Sequence, residues 1–372
     1  MKKILILGAG NAQIDAIKYC REAGYEVGGC SYTNTDHGIP MLDWFEQVDI
    51  RSVEGVTDLA RRHEVDAIYS VGSDLAMPTV MKASENLGLP HYIPSKTADI
   101  CHSKHLLREA LGEDFDGNVH FLVADTQEDA MRWNCFPAMM KPVDSQGQRG
   151  CFRVNQPSDI EAHFEVSRDY SIIGKVIIED FIEGPEVSVN GFMQDGKMAF
   201  GLVSDRFAFD EYPGGIIKKH RVPSHFADEA GKAAVLDLTE RIAATIGLNN
   251  GPLYAQIKLD RGVHPVVLEI APRLDGCHMW RLIRNYCGVD LLDASIRQLT
   301  EAVELPEPEP ADTDCELVFI SEPTGSTVDY SKYDFSSADY VEWYYKDGDT
   351  VQKLNGYIEK CGYVIQRAEK PE

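Results

Sequence analysis

The sequence predicts a doubly wound α/β domain at the N-terminus, followed by a larger α+β region. Over the first ninety residues, short apolar strands alternate with helices, and this alternation is typical of a parallel sheet. From residue 119 onward, several strands are separated by short turns, which favours antiparallel pairing. A chain of 372 residues has room for two or three domains of ordinary size.

The N-terminal elements follow from apolar runs that end near glycine. Gly24 and Gly88 close two of the predicted helices, because glycine readily adopts the left-handed conformation that ends a helix. In chain order, the sequence predicts the strand Lys3–Leu7, the helix Ala12–Ala23, the strand Glu26–Ser31, the helix Val56–His63, the strand Ala67–Val71 and the helix Thr79–Leu87.

The α+β region begins with one long helix, predicted over Thr97–Leu111. The proline-rich segment Leu305–Ala311 predicts an extended linker to a small C-terminal α+β module. We therefore expect three units, residues 1–94, 95–305 and 306–372. Between the first helix and the linker, the predicted strands are Phe136–Met140, Gly150–Val154, Lys175–Phe181, Glu186–Met193, Leu253–Leu259 and Val266–Ile270, and the predicted helices are Asp159–Val166, Asp228–Ile246, Met279–Tyr286 and Leu291–Thr300.

The charge and the cysteines exclude several classes of protein. With 36 Lys and Arg against 60 Asp and Glu, the net charge of −24 disfavours partners that are nucleic acids or anionic membrane surfaces. The sequence contains no apolar run near the roughly 20 residues of a membrane span. Nine cysteines without any C-x-x-C spacing predict reduced thiols in a cytoplasmic protein, and neither a disulfide nor a zinc framework.

A glycine loop follows the first strand, in the sequence Gly8-Ala9-Gly10-Asn11-Ala12-Gln13. Binding of NAD is disfavoured, because Gln13 replaces the third small residue of the dinucleotide fingerprint. The acidic residue that would hold a ribose is also absent from the second strand, where the chain has Gly28 to Ser31. A tight turn and a substrate-contact loop both remain open for this segment.

Four features that suit nucleotide chemistry follow one another over about 170 residues. Two lysines on different elements can neutralise phosphates, and a glycine-bearing loop can close over them. Carboxylates after a strand can hold a ribose, and oxygen ligands on paired strands can hold Mg²⁺. The features are Lys104, Lys141 with the loop Ser145–Gly150, the segment Glu179–Glu186, and Gln256 with Glu269 and Arg273.

In this order, the four features resemble the ATP-grasp superfamily of carboxylate–amine and carboxylate–thiol ligases. The resemblance implies a Rossmann-like pre-ATP-grasp domain, an ATP-grasp domain with a mobile lid at about 118–182, and a closing C-terminal module. It implies that Gln256 and Glu269 bind Mg²⁺, with Mn²⁺ as a substitute, and that Lys141 and Arg273 are catalytic. The implied ATP-binding residues are Lys104, Lys141, Ser145, Gly147, Gly150, Glu179, Asp180, Phe181, Ile182 and Glu186.

Two positions depart from the commonest metal motif of the family. Ala271 stands where an asparagine is usual, as in carboxyaminoimidazole ribonucleotide synthetase-like members. Gln256 stands where a glutamate is usual, as in carbamoyl-phosphate synthetase-like members. Because Gln256 carries no charge, a second metal ion would be held more weakly, and the number of metal ions stays open.

We expect two segments to bind the substrates. The loop of Arg273, Asp275 and His278 precedes a helix and looks like the acceptor region of L-amino-acid ligases. Arg206 and the basic run Lys218 to Arg221 form either a wall of the acyl-substrate pocket or a solvated hairpin tip. His220, in that run, either helps to deprotonate the amine or is simply hydrogen-bonded.

The sequence therefore predicts an ATP- and Mg²⁺-dependent ligase that joins a carboxylate to an amine through an acyl phosphate and releases ADP. Within the family, the alternative is a bicarbonate-activating enzyme that acts on a nucleotide-like amine. A Rossmann oxidoreductase and a non-catalytic ATP-binding regulator are the alternatives from other classes. The resemblance implies small-molecule substrates, and it is compatible with a homodimer.

Overall fold

The computed structural model describes residues 1–145, 149–212, 215–353 and 358–368. Its strands form a parallel sheet near the N-terminus, a small antiparallel sheet and a large antiparallel sheet of eight strands. The predicted combination of an α/β domain with an α+β region is therefore confirmed. Gly147, predicted to contact phosphate, lies outside the described residues.

The N-terminal sheet is parallel and has the strand order β3-β2-β1-β4. Its strands are β1 (Lys3–Leu7), β2 (Glu26–Ser31), β3 (Trp44–Gln47) and β4 (Ala67–Tyr69). Its helices are α1 (Asn11–Glu22), α2 (Val53–His63) and α3 (Met77–Leu87). Residues Ile4 to Leu7 are completely buried, as expected for a central strand with both faces covered. The sequence prediction missed β3, which is short and only partly buried.

The glycine loop after β1 forms a tight turn held by its own residues. The side-chain oxygen of Gln13 accepts a hydrogen bond from the backbone N–H of Gly10 at 3.1 Å. The amide nitrogen of Gln13 donates to the carbonyl of Val71, at the end of the neighbouring strand, at 2.6 Å. Gln13 therefore ties the start of α1 to the adjoining loop of the sheet.

The long helix predicted over Thr97–Leu111 is wrong, because two helices occupy this segment. Helix α4 (Ser95–His102) and helix α5 (Lys104–Leu111) are separated by Ser103, whose backbone is extended (φ −113°, ψ 115°). The backbone N–H of Lys104 donates to the carbonyl of Val143 at 2.9 Å, so a tertiary contact fixes the break. The break places Lys104 in the first turn of its own helix.

The small antiparallel sheet lies within the segment predicted as a lid. It has the order β5-β8-β6-β7 and a hydrophobic core of its own. Its elements are β5 (Phe121–Ala124), α6 (Gln127–Ala130), β6 (Ala138–Pro142), β7 (Phe152–Val154), α7 (Pro157–Asp169) and β8 (Val176–Asp180). Movement of this segment as a lid stays a prediction. The bounds of the three expected units also stay predictions.

The large sheet has the order β13-β12-β9-β10-β11-β14-β16-β15. Its strands are β9 (Glu186–Gln194), β10 (Lys197–Ala208), β11 (Ile217–Val222), β12 (Gly251–Asp260), β13 (His264–Ala271), β14 (Asp314–Pro323), β15 (Tyr340–Trp343) and β16 (Ile358–Ala368). The helices in this part are α8 (Glu229–Ile246), α9 (Met279–Cys287) and α10 (Leu291–Gln298). The strands after the linker thus extend the large sheet and form no separate sheet. None of the helices described is long and apolar enough to cross a bilayer.

Candidate functional site

A cavity of about 520 Å³ is lined by both antiparallel sheets and by the loop after β4. Of the residues predicted to bind nucleotide, it is lined by Lys104, Lys141, Ser145, Glu179, Asp180, Phe181, Ile182 and Glu186. Of those predicted for metal or substrate, it is lined by Gln256, Glu269, Arg206, Arg273 and Asp275. Gly150, Lys218, His220 and His278 are described but do not line it. Residues far apart in the sequence therefore converge on one space.

The two predicted phosphate lysines reach this cavity from different elements. Lys104 begins α5, and its ammonium donates to the backbone carbonyl of Ser145 at 2.8 Å. Lys141 lies on β6, with 12% of its side chain exposed. Two ammonium groups on one wall can hold phosphate oxygens.

A buried network that the sequence did not indicate holds Lys141 in place. Glu179 is buried, and one of its carboxylate oxygens contacts the ammonium of Lys141. The other oxygen accepts a hydrogen bond from Nε of Arg108 at 2.8 Å, and Arg108 is itself 1% exposed. Burial alone raises the pKa of Glu179, but the charges of Arg108 and Lys141 outweigh it and lower the pKa to about 2. The side chain of Glu179 is thus committed to two cations rather than to the predicted adenine contact.

Arg108 also connects the small sheet to the strand of Glu269. Its guanidinium donates to the side chain of Asn118 at 3.1 Å and lies 3.5 Å from the carbonyl of Leu268. Leu268 is the extra residue of a β-bulge in β13, since Gln256 pairs with Glu269 whereas Ile257 pairs with Val267. The sequence analysis missed Arg108, although its position beside Leu107 and one turn before Leu111 on the buried face of α5 could have indicated a paired charge.

The backbone after β8 leaves one group available to a base edge. The N–H groups of Asp180 and Phe181 donate to the carbonyls of His120 and Pro137. Ile182 also lines the cavity, and the described residues supply no acceptor for its N–H. The backbone N–H of Ile182 is therefore the group that remains available for the predicted adenine contact.

Glu186 lies at the centre of a second polar cluster. Its carboxylate contacts the guanidinium of Arg206 and accepts a hydrogen bond from Nε2 of Gln256 at 2.5 Å. Arg206 was predicted for the substrate and Gln256 for the metal, but both side chains here bind the predicted ribose carboxylate. The amide oxygen of Gln256 is the atom left to coordinate a cation.

Glu269 faces the cavity from β13. It pairs directly with Gln256 of β12, so both side chains point to the same face of the sheet. The Glu269 side chain is 33% exposed, although its neighbours in sequence are apolar. Burial and the carboxylate of Asp74 raise the pKa of Glu269, while Lys104 and Arg273 oppose that rise. Two oxygen ligands side by side suit a hard divalent cation such as Mg²⁺.

Arg273 is held by a residue of the N-terminal domain. Its guanidinium makes two hydrogen bonds to Asp74, of 2.5 and 2.6 Å, and lies 3.9 Å from Glu269. Burial alone raises the pKa of Asp74, but the charge of Arg273 outweighs it and lowers this pKa. A β-carbon at Gly72 (φ +67°) would lie 2.8 Å from Cα of Gly276, so only glycine permits this close approach. The loop after β4 therefore forms part of the site.

The basic run lies on β11 and is no hairpin tip. Lys219 and Arg221 both bind Glu316 of β14, at 2.7 Å. Lys218 is exposed, its ammonium lies 5.7 Å from the ring centre of Phe209, and it does not line the cavity, so its place in the substrate pocket stays a prediction. His220 points inward and is completely buried, and burial lowers its pKa to about 4. His220 and its two neighbours Lys219 and Arg221 alternate in direction, as the twofold period of a strand requires. Lys218 lies outside this alternation, because the register between β10 and β11 shifts at this residue.

His278 is also absent from the lining of the cavity. Its Nδ1 lies 2.9 Å from the carboxylate of Asp15, and its Nε2 lies 2.7 Å from the hydroxyl of Tyr344. Arg281 binds the other oxygen of Asp15 at 2.9 Å and the hydroxyl of Tyr363 at 2.9 Å. This network joins the N-terminal domain to α9 and to the C-terminal strands.

The comparisons with known proteins agree with this arrangement. Residues 134–280 match the family model described as an ATP-grasp domain. Dapdiamide A synthase of Enterobacter agglomerans is 24% identical over 218 residues, which cover 55% of this chain and 49% of that protein. Alanine–anticapsin ligase of Bacillus subtilis (strain 168) is 23% identical over 267 residues, or 64% of this chain and 55% of that protein.

A solved structure shows the same fold along the whole chain. The L-amino acid ligase from Bacillus licheniformis superposes with a TM-score of 0.81 at 17% identity, covering 100% of this chain and 94% of that one. The matched part spans about half to three fifths of the length of the curated relatives. Sequence, fold and the order of the site residues agree, and residues 134–280 belong to the ATP-grasp domain family.

Proposed function

We propose that the protein is an ATP- and Mg²⁺-dependent ligase that joins a carboxylate to an amine and releases ADP and phosphate. The observation that carries the proposal is the convergence of Lys104, Lys141, Glu269 and Arg273 on one cavity. The relatives named above, whose names state ligation or synthesis, support amide formation as the reaction. Small-molecule substrates fit a cavity of this size, and a homodimer stays a prediction.

The chemistry proceeds in two balanced steps. A carboxylate oxygen of the substrate attacks the γ-phosphorus of ATP, the bond to the β–γ bridging oxygen breaks, and ADP leaves. The amine nitrogen then attacks the acyl carbon, phosphate leaves with the electrons of the C–O bond, and the nitrogen loses a proton to solvent. Catalysis is mostly positioning and stabilisation of charge.

The residues take the following roles in this proposal. Lys104 and Lys141 hold phosphate oxygens, and the N–H of Ile182 receives the adenine edge. Glu269 and the amide oxygen of Gln256 would hold Mg²⁺, which when bound neutralises phosphate charge. Arg273 reaches the oxyanion of the tetrahedral intermediate if it leaves Asp74, or holds the substrate carboxylate beside it.

Among the predicted roles, the structure favours some substrate residues over others. Arg273 and Asp275 line the cavity and are retained as substrate contacts. Arg206 lines it as well, but its contact with Glu186 places it nearer the ribose position. His220 and His278 are assigned no contact with the reacting atoms, because neither lines the cavity.

The proposed reaction is tested by ADP release over a matrix of carboxylates and amines. We expect ADP and phosphate to appear when one matching pair is present, because the proposed role of Lys104 and Lys141 is to hold the phosphates of ATP during transfer of the γ-phosphoryl group. The formation of AMP and pyrophosphate would contradict the acyl-phosphate route. ADP release that depends on bicarbonate in place of an organic carboxylate would favour the carboxylase-type alternative.

Replacing Lys141 by methionine tests the phosphate assignment. Because charge-assisted hydrogen bonds contribute about 1.5–3 kcal/mol, Lys141→Met should weaken ATP binding by about tenfold or more. The fold should survive, since Glu179 keeps its bond to Arg108. Lys175→Met is the matched control, because Lys175 makes an exposed ion pair with Asp125 on the same small sheet. Calorimetric titration with ATP that leaves both variants at wild-type affinity would place Lys141 outside the nucleotide site.

A further inference from the structure

A cluster of three metal-ligating side chains lies beside the cavity, and of the three only Asp275 has a role in the proposed ligase chemistry, as a substrate contact. His220 projects from β11, and Asp275 and Cys277 lie in the loop before α9. A ring nitrogen of His220, a carboxylate oxygen of Asp275 and Sγ of Cys277 all lie within 4.8 Å of one another. One nitrogen, one oxygen and one sulfur ligand therefore face a common point.

Two of these side chains are buried with polar atoms that have no partner. His220 is 0% exposed, and among the described residues neither of its ring nitrogens has a hydrogen-bond partner. Asp275 is 6% exposed; its Oδ1 accepts the N–H of Cys277 at 3.1 Å, but its Oδ2 has no partner in the same set. A buried polar group without a partner destabilises the folded protein, so an unpaired arrangement needs an explanation.

The distance between the unpaired atoms of His220 and Asp275 indicates what kind of partner could bind both of them. Nε2 of His220 and Oδ2 of Asp275 are 4.0 Å apart, which is too long for a direct hydrogen bond. Tetrahedral zinc holds its ligands at about 2.0–2.3 Å, which places neighbouring ligand atoms roughly 3.3–3.8 Å apart. Bringing these two atoms closer by roughly half an ångström would thus match the spacing of two ligands on one ion. Mg²⁺ is a poor candidate, because it prefers oxygen ligands.

We propose that His220, Asp275 and Cys277 bind a divalent transition-metal ion of the zinc class. Three protein ligands leave a fourth position open, to water or to a donor atom of a substrate. Asp275 also lines the main cavity, which places the ion at the border of the site. The sequence carried no zinc motif, because the histidine lies on a strand more than fifty residues before the other two ligands.

Two cationic side chains near the cluster affect its affinity for a metal ion. The ammonium of Lys360 lies 3.9 Å from Sγ of Cys277 and over the ring of Phe319. Arg206 pairs with His220 across β10 and β11, and its charge is balanced by Glu186. Lys360 would donate a hydrogen bond to the metal-bound thiolate. Its positive charge would also weaken the binding of the metal ion, relative to a site without a nearby cation. Binding would release the proton of the Cys277 thiol.

The test is metal analysis of the purified full chain after incubation with zinc and removal of the excess. We expect about one zinc ion per chain, lost in Cys277→Ser and in His220→Gln. Cobalt substitution should give a thiolate-to-cobalt charge-transfer band that Cys277→Ser abolishes. Cys135→Ser is the matched control, because Cys135 belongs to a separate group with His120 and Asp180 whose histidine and cysteine are exposed.

The outcomes separate this proposal from the ligase proposal, because no readout requires turnover. A wild-type chain that retains no zinc, or a loss of zinc in Cys135→Ser but not in Cys277→Ser, would overturn the metal site. If Cys277→Ser does not fold, Asp275→Asn replaces it, and the wild-type stoichiometry with its cobalt spectrum still decides. A spectrum without thiolate charge transfer would likewise exclude Cys277 as a ligand.

Discussion

Replacing Arg108 by methionine should destabilise the protein by about 3–5 kcal/mol, because it removes one partner from a buried ion pair. Glu179 would keep only Lys141 to balance its charge, and the side chain of Asn118 would lose a donor. Methionine keeps an unbranched apolar stem in place of the arginine methylenes, and what it removes is the charged guanidinium. Chemical denaturation of the variant and the wild type measures this difference directly.

The effect of Arg108→Met should also depend on pH, with a sign set by Glu179. The pKa of Glu179 is about 2 in the folded protein, against 4.5 for the free group. Its charge therefore stabilises the fold above about pH 4.5, and this contribution is lost as the pH falls towards 2. We expect the difference in unfolding free energy between variant and wild type to shrink over that range.

A surface arginine provides the control for this experiment. Arg168 of α7 pairs with Glu165 one turn away, and both side chains are over a third exposed. Because exposed pairs contribute about 0–1 kcal/mol, Arg168→Met should change stability little and show no such pH dependence. Equal effects of the two substitutions would mean that the buried contacts of Arg108 stabilise the fold no more than an exposed ion pair does.

Replacing Glu269 by glutamine should lower turnover by about 10²- to 10³-fold, with a smaller effect on ATP affinity. The charge of Glu269 would matter most as negative charge shifts during phosphoryl transfer, because binding that is stronger in the transition state accelerates the reaction. The unfolding temperature should hardly change, since the side chain is one-third exposed to the cavity. Mg²⁺-dependent ADP release and thermal unfolding are measured together.

Glu161→Gln on α7 makes the same chemical change at an exposed position and should leave turnover unchanged. Near-normal turnover of Glu269→Gln across Mg²⁺ concentrations would remove Glu269 from the metal site. It would remove the strongest support for the ligase proposal as well.

The sequence predicted the elements whose physical cause is local. The strands Lys3–Leu7 and Glu26–Ser31 appear with the predicted bounds. The first contains the continuous apolar run Ile4 to Leu7, which is typical of a parallel strand buried on both faces. Helix α8 begins at Glu229, one residue after the predicted start. The residue before it, Asp228, is the N-cap, and its side chain accepts a hydrogen bond from the backbone N–H of Gly231. Most of the predicted site residues line one cavity, and they could be selected from the sequence because their types and order, rather than their contacts, are visible in the chain.

The contacts themselves depend on tertiary structure, which the sequence pattern does not show. The break between α4 and α5 is fixed by a bond to Val143, and the pairing of Arg273 with Asp74 joins residues 199 positions apart. The sequence did not predict strand β11, because the partner of Lys219 and Arg221 is Glu316 on a strand nearly a hundred residues later. Long-range ion pairs of this kind leave no periodic signal.

The pairing of β11 with β14 has a consequence for synthesis of the chain. The ribosome finishes β11 at Val222 but reaches β14 only at Asp314, so at about 5–20 residues per second the strand waits roughly 5–20 seconds for its neighbour. During that time its edge is open to pairing with other nascent chains. Lys218, Lys219 and Arg221 give this waiting edge the charges that discourage such pairing, and Glu316 neutralises two of them only when the sheet is completed.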